Sequence, residues 1–392
     1  MNKNRIIKIV PFFPPSVYSG GIENLAKGWS ETLVSEYGYN IRILTSKVLE
    51  EQISLSYNKE MRENYSPLVV KRTAAFILLT RPVMPFLIIK SFLEIKEFQP
   101  HLAHIYIPIA QDLLISNFFK KNNIPLVVTY AADPLLDRNI NFFTKKIEKI
   151  YHHMLISTLE LADYVISTSR WYTRISPILR NISRNKIKVV YQGVNVQYFR
   201  PPTLEERKEI KIYLSEKYRV HYASPIIGFV GRLVPYKGLN HLLRAAKELK
   251  QFNFVIVGDG PLRKTLESKA TNNVVFLGRV SNEMLRKLYW AFDVSVNTAI
   301  NRTESIPLTI LESMASGTPV IVTNVGGNRE IFDNASHEFG RLIQPVDEEL
   351  ISAIIEVLDK REYLSKGARL EALKYDWKNV TKPLHEIYQK LI

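Results

Sequence analysis

The sequence predicts an α/β protein built on parallel sheets, and three observations carry that prediction. Short Val/Ile-rich runs, at residues 6–10, 126–129, 165–168, 226–230 and 254–257, alternate with stretches of helical periodicity. Glycine-bearing loops separate several of those runs from the helix that follows, the order of a doubly wound sheet. At 392 residues the chain exceeds one ordinary core and divides most simply into two domains of about 200 residues each.

Composition narrows the function classes. Apolar residues make up 46% of the chain, enough for a fully globular protein. The absence of cysteine excludes a disulfide framework, a thiolate nucleophile and a cysteine metal site. The chain reaches a strand by Ile6 without an apolar signal core, and no run approaches about 18 uninterrupted apolar residues. Arg81, Pro82, Pro85 and Lys90 break the most apolar stretch, 74–93, into a loop and a packed helix. A cytoplasmic protein is expected, with peripheral association at the inner face of the cell membrane as an option. Residues 1–199 carry 25 Lys and Arg against 15 Asp and Glu, and residues 200–392 carry 28 against 23. That surplus suits an anionic membrane surface, an anionic substrate or nucleic acid, and selects none of them by itself.

The first strand, 6–10, leads through PFFPPSVYSGG to Gly20 and Gly21 and a helix over 22–36. Two glycines there serve either a plain turn or the close approach of a bound group. Leu25, Ala26, Trp29, Leu33 and Val34 fall at helical spacing, so Trp29 is read as core. Residues 47–67 are polar and irregular. Strands follow at 68–71 and 102–107, on either side of a helix over 84–98. His104, in the second of these strands, is an acceptor-side candidate, although a lone strand histidine is usually structural. No histidine pair has metal-ligand spacing. The strand 126–129 runs into Tyr130, Ala131, Ala132 and Asp133 at a carboxyl end, where open parallel sheets bind ligands. Asp133 is therefore a second candidate, with a turn acid before Pro134 as the alternative. A basic amphipathic helix spans 141–160, and strands at 164–167 and 188–190 close the first domain, with the boundary near Phe199.

In the second half, IIGFVGRLVPYKGLNHLLRA gives a buried strand ending at Gly231, a loop with Arg232 and Lys237, and a helix from Leu239. Two cations near helix amides could neutralise a diphosphate, or be solvated loop charges. The strand before Gly258, Asp259 and Gly260 ends in a tight turn. NVVFLGRV supplies another strand and Gly278 before a helix over 282–291, where backbone groups could edge a base. The apolar run 293–299 then leads to ESIPLTILESMASGTPVIVTNVGG. Pro307 costs nothing in a first helical turn, so the amides of Ser305, Ile306, Leu308 and Thr309 would face an anion beyond the helix end. Glu304 precedes this helix and Glu312 lies a turn or more inside it. Surface acids supporting a helix start are the plain alternative. The helix ends at Ser316 and Gly317, and a short buried strand follows.

Together, GRLVPYKG, VIVGDGP, VVFLGRV, the 304–327 stretch and, more weakly, GGIENLA and YQGVNVQYFRP resemble glycosyltransferase family 4, retaining nucleotide-sugar glycosyltransferases of GT-B fold. The likeness covers nearly the whole chain and is strongest over 225–330. It implies two Rossmann-like domains facing across a cleft: an acceptor domain at 1–199, a donor domain at 200–375, and a terminal helix at 376–392 returning to the first. Carried over by motif, Arg232 and Lys237 hold the diphosphate, Glu312 the ribose and Glu304 the donor sugar. Gly20, Gly21, Gly231 and Gly278 join them around the donor, as does the backbone of Ser305, Ile306, Pro307 and Leu308. No cofactor or metal is expected. The partners implied are a nucleotide sugar and a glycan, glycolipid or lipid-linked acceptor, while the lack of an interleaved aromatic and basic strand ranks nucleic acid low. Two positions depart from the family pattern: Ala131 stands where a histidine is common, and Ser305 where glycine is. A nucleotide-sugar 2-epimerase and a non-catalytic nucleotide-sugar binder are the competing readings.

Overall fold

A computed structural model describes residues 4–14, 21–48, 68–78, 81–130, 142–301 and 306–392. The chain divides into two compact units, Met1–Gln192 together with Trp377–Ile392, and Gly193–Asp376. This division falls before the boundary expected near Phe199, because the intervening segment is bonded into the second unit. Val194 donates its N–H to the Tyr375 carbonyl at 2.8 Å, and the Arg369 guanidinium reaches the carbonyls of Val196 and Phe199 at 2.9 and 3.2 Å.

The first unit contains β1 (Arg5–Val10), α1 (Gly21–Tyr37), β2 (Asn40–Val48), β3 (Val69–Leu78), β4 (Arg81–Val83), α2 (Leu87–Phe98), β5 (Leu102–Ile107), α3 (Asp112–Lys121), β6 (Leu126–Tyr130), α4 (Phe142–Leu161), β7 (Tyr164–Ser167), α5 (Arg170–Ile175) and β8 (Ile187–Val189). The sheet order is β4-β3-β2-β1-β5-β6-β7-β8, parallel throughout except where β4 runs antiparallel to β3. Because strand side chains alternate, Ile7, Ile9, Ala103, Ile105 and Val128 share one face, covered by Leu87 of α2, Phe119 of α3 and Leu155 of α4. Ile6, Val10, Leu102, Tyr106 and Val127 share the other, covered by Leu25, Trp29 and Leu33 of α1. Trp29 is completely buried, as its spacing implied. β2 had no sequence reading and runs to Val48, into the stretch read as irregular from residue 47, and α3 had no sequence reading either. The residues 49–67 lie outside the described ones.

The second unit contains α6 (Leu204–Tyr218), β9 (Ile226–Val230), α7 (Leu239–Glu248), β10 (Asn253–Val257), α8 (Arg263–Glu267), β11 (Val274–Gly278), α9 (Asn282–Ala291), β12 (Val294–Asn297), α10 (Leu308–Ala315), β13 (Val320–Thr323), α11 (Asn328–Asp333), β14 (Gly340–Ile343), α12 (Asp347–Asp359) and α13 (Arg361–Leu373). Its order, β11-β10-β9-β12-β13-β14, is entirely parallel and reverses direction at β9. Thr203 and Glu206 close α6 with a reciprocal capping box. Asp293, buried just before β12, ties this sheet to its helices. It accepts from Arg207 of α6 at 2.7 Å and the Ile226 amide at 2.9 Å, and forms an ion pair with Arg361 of α13 at 3.1 Å. The last helix, α14 (Trp377–Gln389), packs with the first unit and buries Leu384 and Tyr388 against the α1 face of its sheet. Among the described residues no helix is long and apolar enough to cross a membrane.

Candidate active site

In the second unit, β9 lies between β10 and β12, so the loops leaving the carboxyl ends of these three strands are neighbours at the point where the strand order reverses. Backbone bonds knit them together. The Gly231 amide donates to the Val257 carbonyl, and the Leu233 amide to the Asp259 carbonyl, both at 3.0 Å. Gly258 has φ +126°, and a Cβ there would stand 2.0 Å from the Gly231 oxygen, so the approach of the two loops requires glycine. The Lys237 turn is fixed from the other side. Thr298, just past β12, donates its hydroxyl to the Lys237 carbonyl at 2.9 Å, and the Ile300 amide bonds the Tyr236 carbonyl at 2.8 Å. Gly238, at φ +65°, would drive a Cβ to 2.1 Å from the Thr298 oxygen.

This scaffold brings the predicted cations to one loop. A Cβ on Gly231 would lie 4.0 Å from Lys237 Cε, so the lysine stem runs back across the glycine that precedes Arg232. Lys237 Nζ sits 5.6 Å from the centre of the Tyr236 ring. Arg232 is exposed and makes no ion pair with a described residue. Gly278 lies at the end of β11 with φ +71°, and its carbonyl accepts from the Gly258 amide at 2.8 Å.

After β12 comes α10. Pro307 is extended (φ −71°, ψ 131°) and caps the helix instead of forming its first turn, as the sequence reading had it. The amides of Leu308 and Thr309 therefore open the helix with no carbonyl inside it to bond. Ile306 is buried at the entrance. One turn in, Glu312 is 7% exposed, and its Oε2 accepts from the Tyr289 hydroxyl of α9 at 2.9 Å. Burial raises the Glu312 carboxyl from the ordinary 4.5 to about 8, against the opposing pull of the Tyr289 bond. Burial and the neighbouring Glu312 charge also push the Tyr289 hydroxyl well above its usual range. Tyr289 had no place in the sequence reading. Its helix was legible, but which residue of α9 would meet α10 was not.

Glu304, Ser305, Gly20, Ala131 and Asp133 lie outside the described residues. Gly21 opens α1, and nothing stands within 4 Å of where its Cβ would be. His104 is a correction. It lies in the middle of β5, completely buried, with Nε2 2.6 Å from Thr129 Oγ1 and Nδ1 2.5 Å from the Tyr388 hydroxyl. Burial, reinforced by the nearby charge of Lys8, holds the imidazole well below its usual range. Both ring nitrogens are occupied within the fold, so His104 fastens α14 to the sheet and does not reach an acceptor. Among the described residues no cluster of three His, Asp or Glu could hold a metal ion.

Comparison with known proteins places the chain in a family. Residues 19–198 match the model of Glycosyltransferase Family 4, and residues 214–371 that of Glycosyl transferases group 1. A glycosyltransferase from Methanocaldococcus jannaschii is 33% identical over 62% of this chain, which spans 63% of that relative's length. A GDP-mannose-dependent alpha-mannosyltransferase from Mycobacterium tuberculosis is also 33% identical, over 72% of this chain and 71% of its own. In fold, sucrose-phosphate synthase from Thermosynechococcus elongatus aligns over 99% of both chains with a TM-score of 0.77 at 20% identity, which makes the architecture GT-B. The chain belongs to glycosyltransferase family 4.

Proposed function

We propose that the protein is a retaining transferase that moves a sugar from a nucleoside-diphosphate sugar to a glycan, glycolipid or lipid-linked acceptor. The observation that carries this reading is the Arg232 and Lys237 loop, locked by backbone bonds to the end of β12, the strand that leads into α10. In the reaction, the bond between the sugar's anomeric carbon and the β-phosphate oxygen breaks and its electron pair stays on that oxygen. Negative charge therefore grows on the departing diphosphate. Arg232, Lys237 and the open amides of Leu308 and Thr309 are the groups proposed to meet it, with the positive end of α10 behind them. The acceptor hydroxyl forms the new bond on the same face, and its proton passes to the leaving phosphate.

Glu312 is proposed to accept from the ribose hydroxyls and Glu304 to hold the donor sugar. The first relatives are longer than the matched stretch, and the mannosyltransferase among them is named for its nucleotide-sugar donor. The positive balance of residues 1–199 favours an acceptor presented near an anionic membrane surface.

A panel of nucleotide sugars tests the proposal, with release of nucleoside diphosphate as the readout in the presence of membrane-extracted acceptors. One donor is expected to be consumed, with the anomeric configuration kept in the product. Tight nucleotide binding without release from any donor would favour the non-catalytic binder instead.

A further inference from the structure

The first unit carries a second concentration of positive charge, on residues that have no role assigned above. From residue 164 to residue 204 the chain has no Asp or Glu, while Arg170, Arg174, Arg180, Arg184, Lys186 and Lys188 fall within its middle. The two lysines are committed elsewhere. Lys186 donates to the carbonyls of Glu160 and Ala162 at 2.6 and 3.0 Å, and Lys188 lies 5.3 Å from the Tyr164 ring centre.

Arg174, Arg180 and Arg184 instead line one cavity of about 530 Å³ between α5 and the edge strand β8, floored by Leu179, Ile182 and Val189. No carboxylate among the described residues pairs with any of the three. Arg180 spends its Nε–H on the Arg174 carbonyl at the end of α5, at 2.8 Å, which fixes its guanidinium and leaves its terminal amino groups available. Charges on a sheet edge discourage strand pairing, and scattered lysines would achieve that. Three guanidiniums around one recess repel one another, and a bound anion relieves that repulsion. Their planar forks fit phosphate oxygens two at a time.

We propose that this cavity is a binding site for a phosphate or diphosphate group, separate from the donor site. The apolar floor takes the carbon skeleton attached to that group. The ligand reaches it either free in solution or as a lipid headgroup, since both present the same oxygens.

Inorganic pyrophosphate is the probe, titrated calorimetrically into full-length protein carrying Arg232→Gln and Lys237→Gln, so that the donor cations do not contribute. One pyrophosphate is expected to bind, and adding Arg174→Gln, Arg180→Gln and Arg184→Gln should weaken it at least tenfold. Absence of binding before the three arginines are changed, or equal affinity after, overturns the proposal and leaves the transferase reading untouched. The three arginine changes alone should leave donor turnover at the wild-type rate.

Cosedimentation separates the two sources. If vesicles of phosphatidylglycerol and phosphatidylcholine retain the wild-type protein, and neither pyrophosphate nor the triple variant permits retention, the phosphate is a lipid's. Pyrophosphate binding without vesicle retention makes it a soluble one.

Discussion

At the scale of single residues, Glu312 and Gly238 carry the most specific consequences. Glu312 has a folded-state pKa of about 8 against an ordinary 4.5, so between those values the folded protein holds a proton that the unfolded chain has lost. The stability this contributes is complete below about pH 4.5 and is lost as pH rises through 8, at up to about 1.4 kcal/mol per pH unit. Glu312→Gln keeps the shape and removes the titration. Between pH 5 and pH 8 the wild-type melting temperature should therefore fall by several degrees more than the variant's. Parallel pH profiles would contradict the burial-driven shift. If Glu312 meets the ribose as proposed, Glu312→Ala should also weaken nucleotide affinity about tenfold, the cost of leaving a buried hydroxyl without its hydrogen-bond partner. Gly238→Ala must place a Cβ against the Thr298 oxygen at a positive φ. A loss of about 1–3 kcal/mol in denaturant unfolding is expected, and a neutral result would mean the Lys237 turn is not held as described.

Among elements, α14 is the one whose role depends most on residues far away in sequence. Its Leu384 and Tyr388 are wholly buried in the first unit's core, Tyr388 meets His104 across 284 positions, and Trp377 fills the space above Gly28 that a Cβ would need. Leu384→Ala should cost about 2–5 kcal/mol. Hydrogen exchange should show the loss in β1, β5 and β6, with the second unit's strands keeping their protection. Equal loss in both units would contradict the assignment of α14 to the first.

The same helix shows why parts of the structure were not legible. Strands such as β9 were readable because burial on both faces gives an unbroken apolar run. β2 was missed because Asn40, Arg42, Thr45 and Lys47 interrupt its apolar residues. The seat of His104 was missed because its partner lies at the other end of the chain. The burial of Glu312 was hidden for a related reason: α10 shows where the acid stands, but its environment comes from Tyr289 on another helix. Gly258 was read only as part of a tight turn and Gly238 had no reading, because the oxygens a Cβ would meet there, those of Gly231 and Thr298, lie on other loops.

For the whole molecule, the family and the GT-B architecture follow from strand order, motif spacing and the matches over residues 19–198 and 214–371. What distinguishes a transferase from a protein that merely retains the nucleotide site is whether the β9 loop acts on a leaving diphosphate. The most direct measurement is turnover of the donor identified in the panel, comparing wild type with Lys237→Ala at saturating donor. Loss of a cation that acts chiefly as charge develops should lower kcat by about 100-fold or more while donor affinity changes much less. A variant that turns over at the wild-type rate would contradict the assignment of this loop to the chemistry.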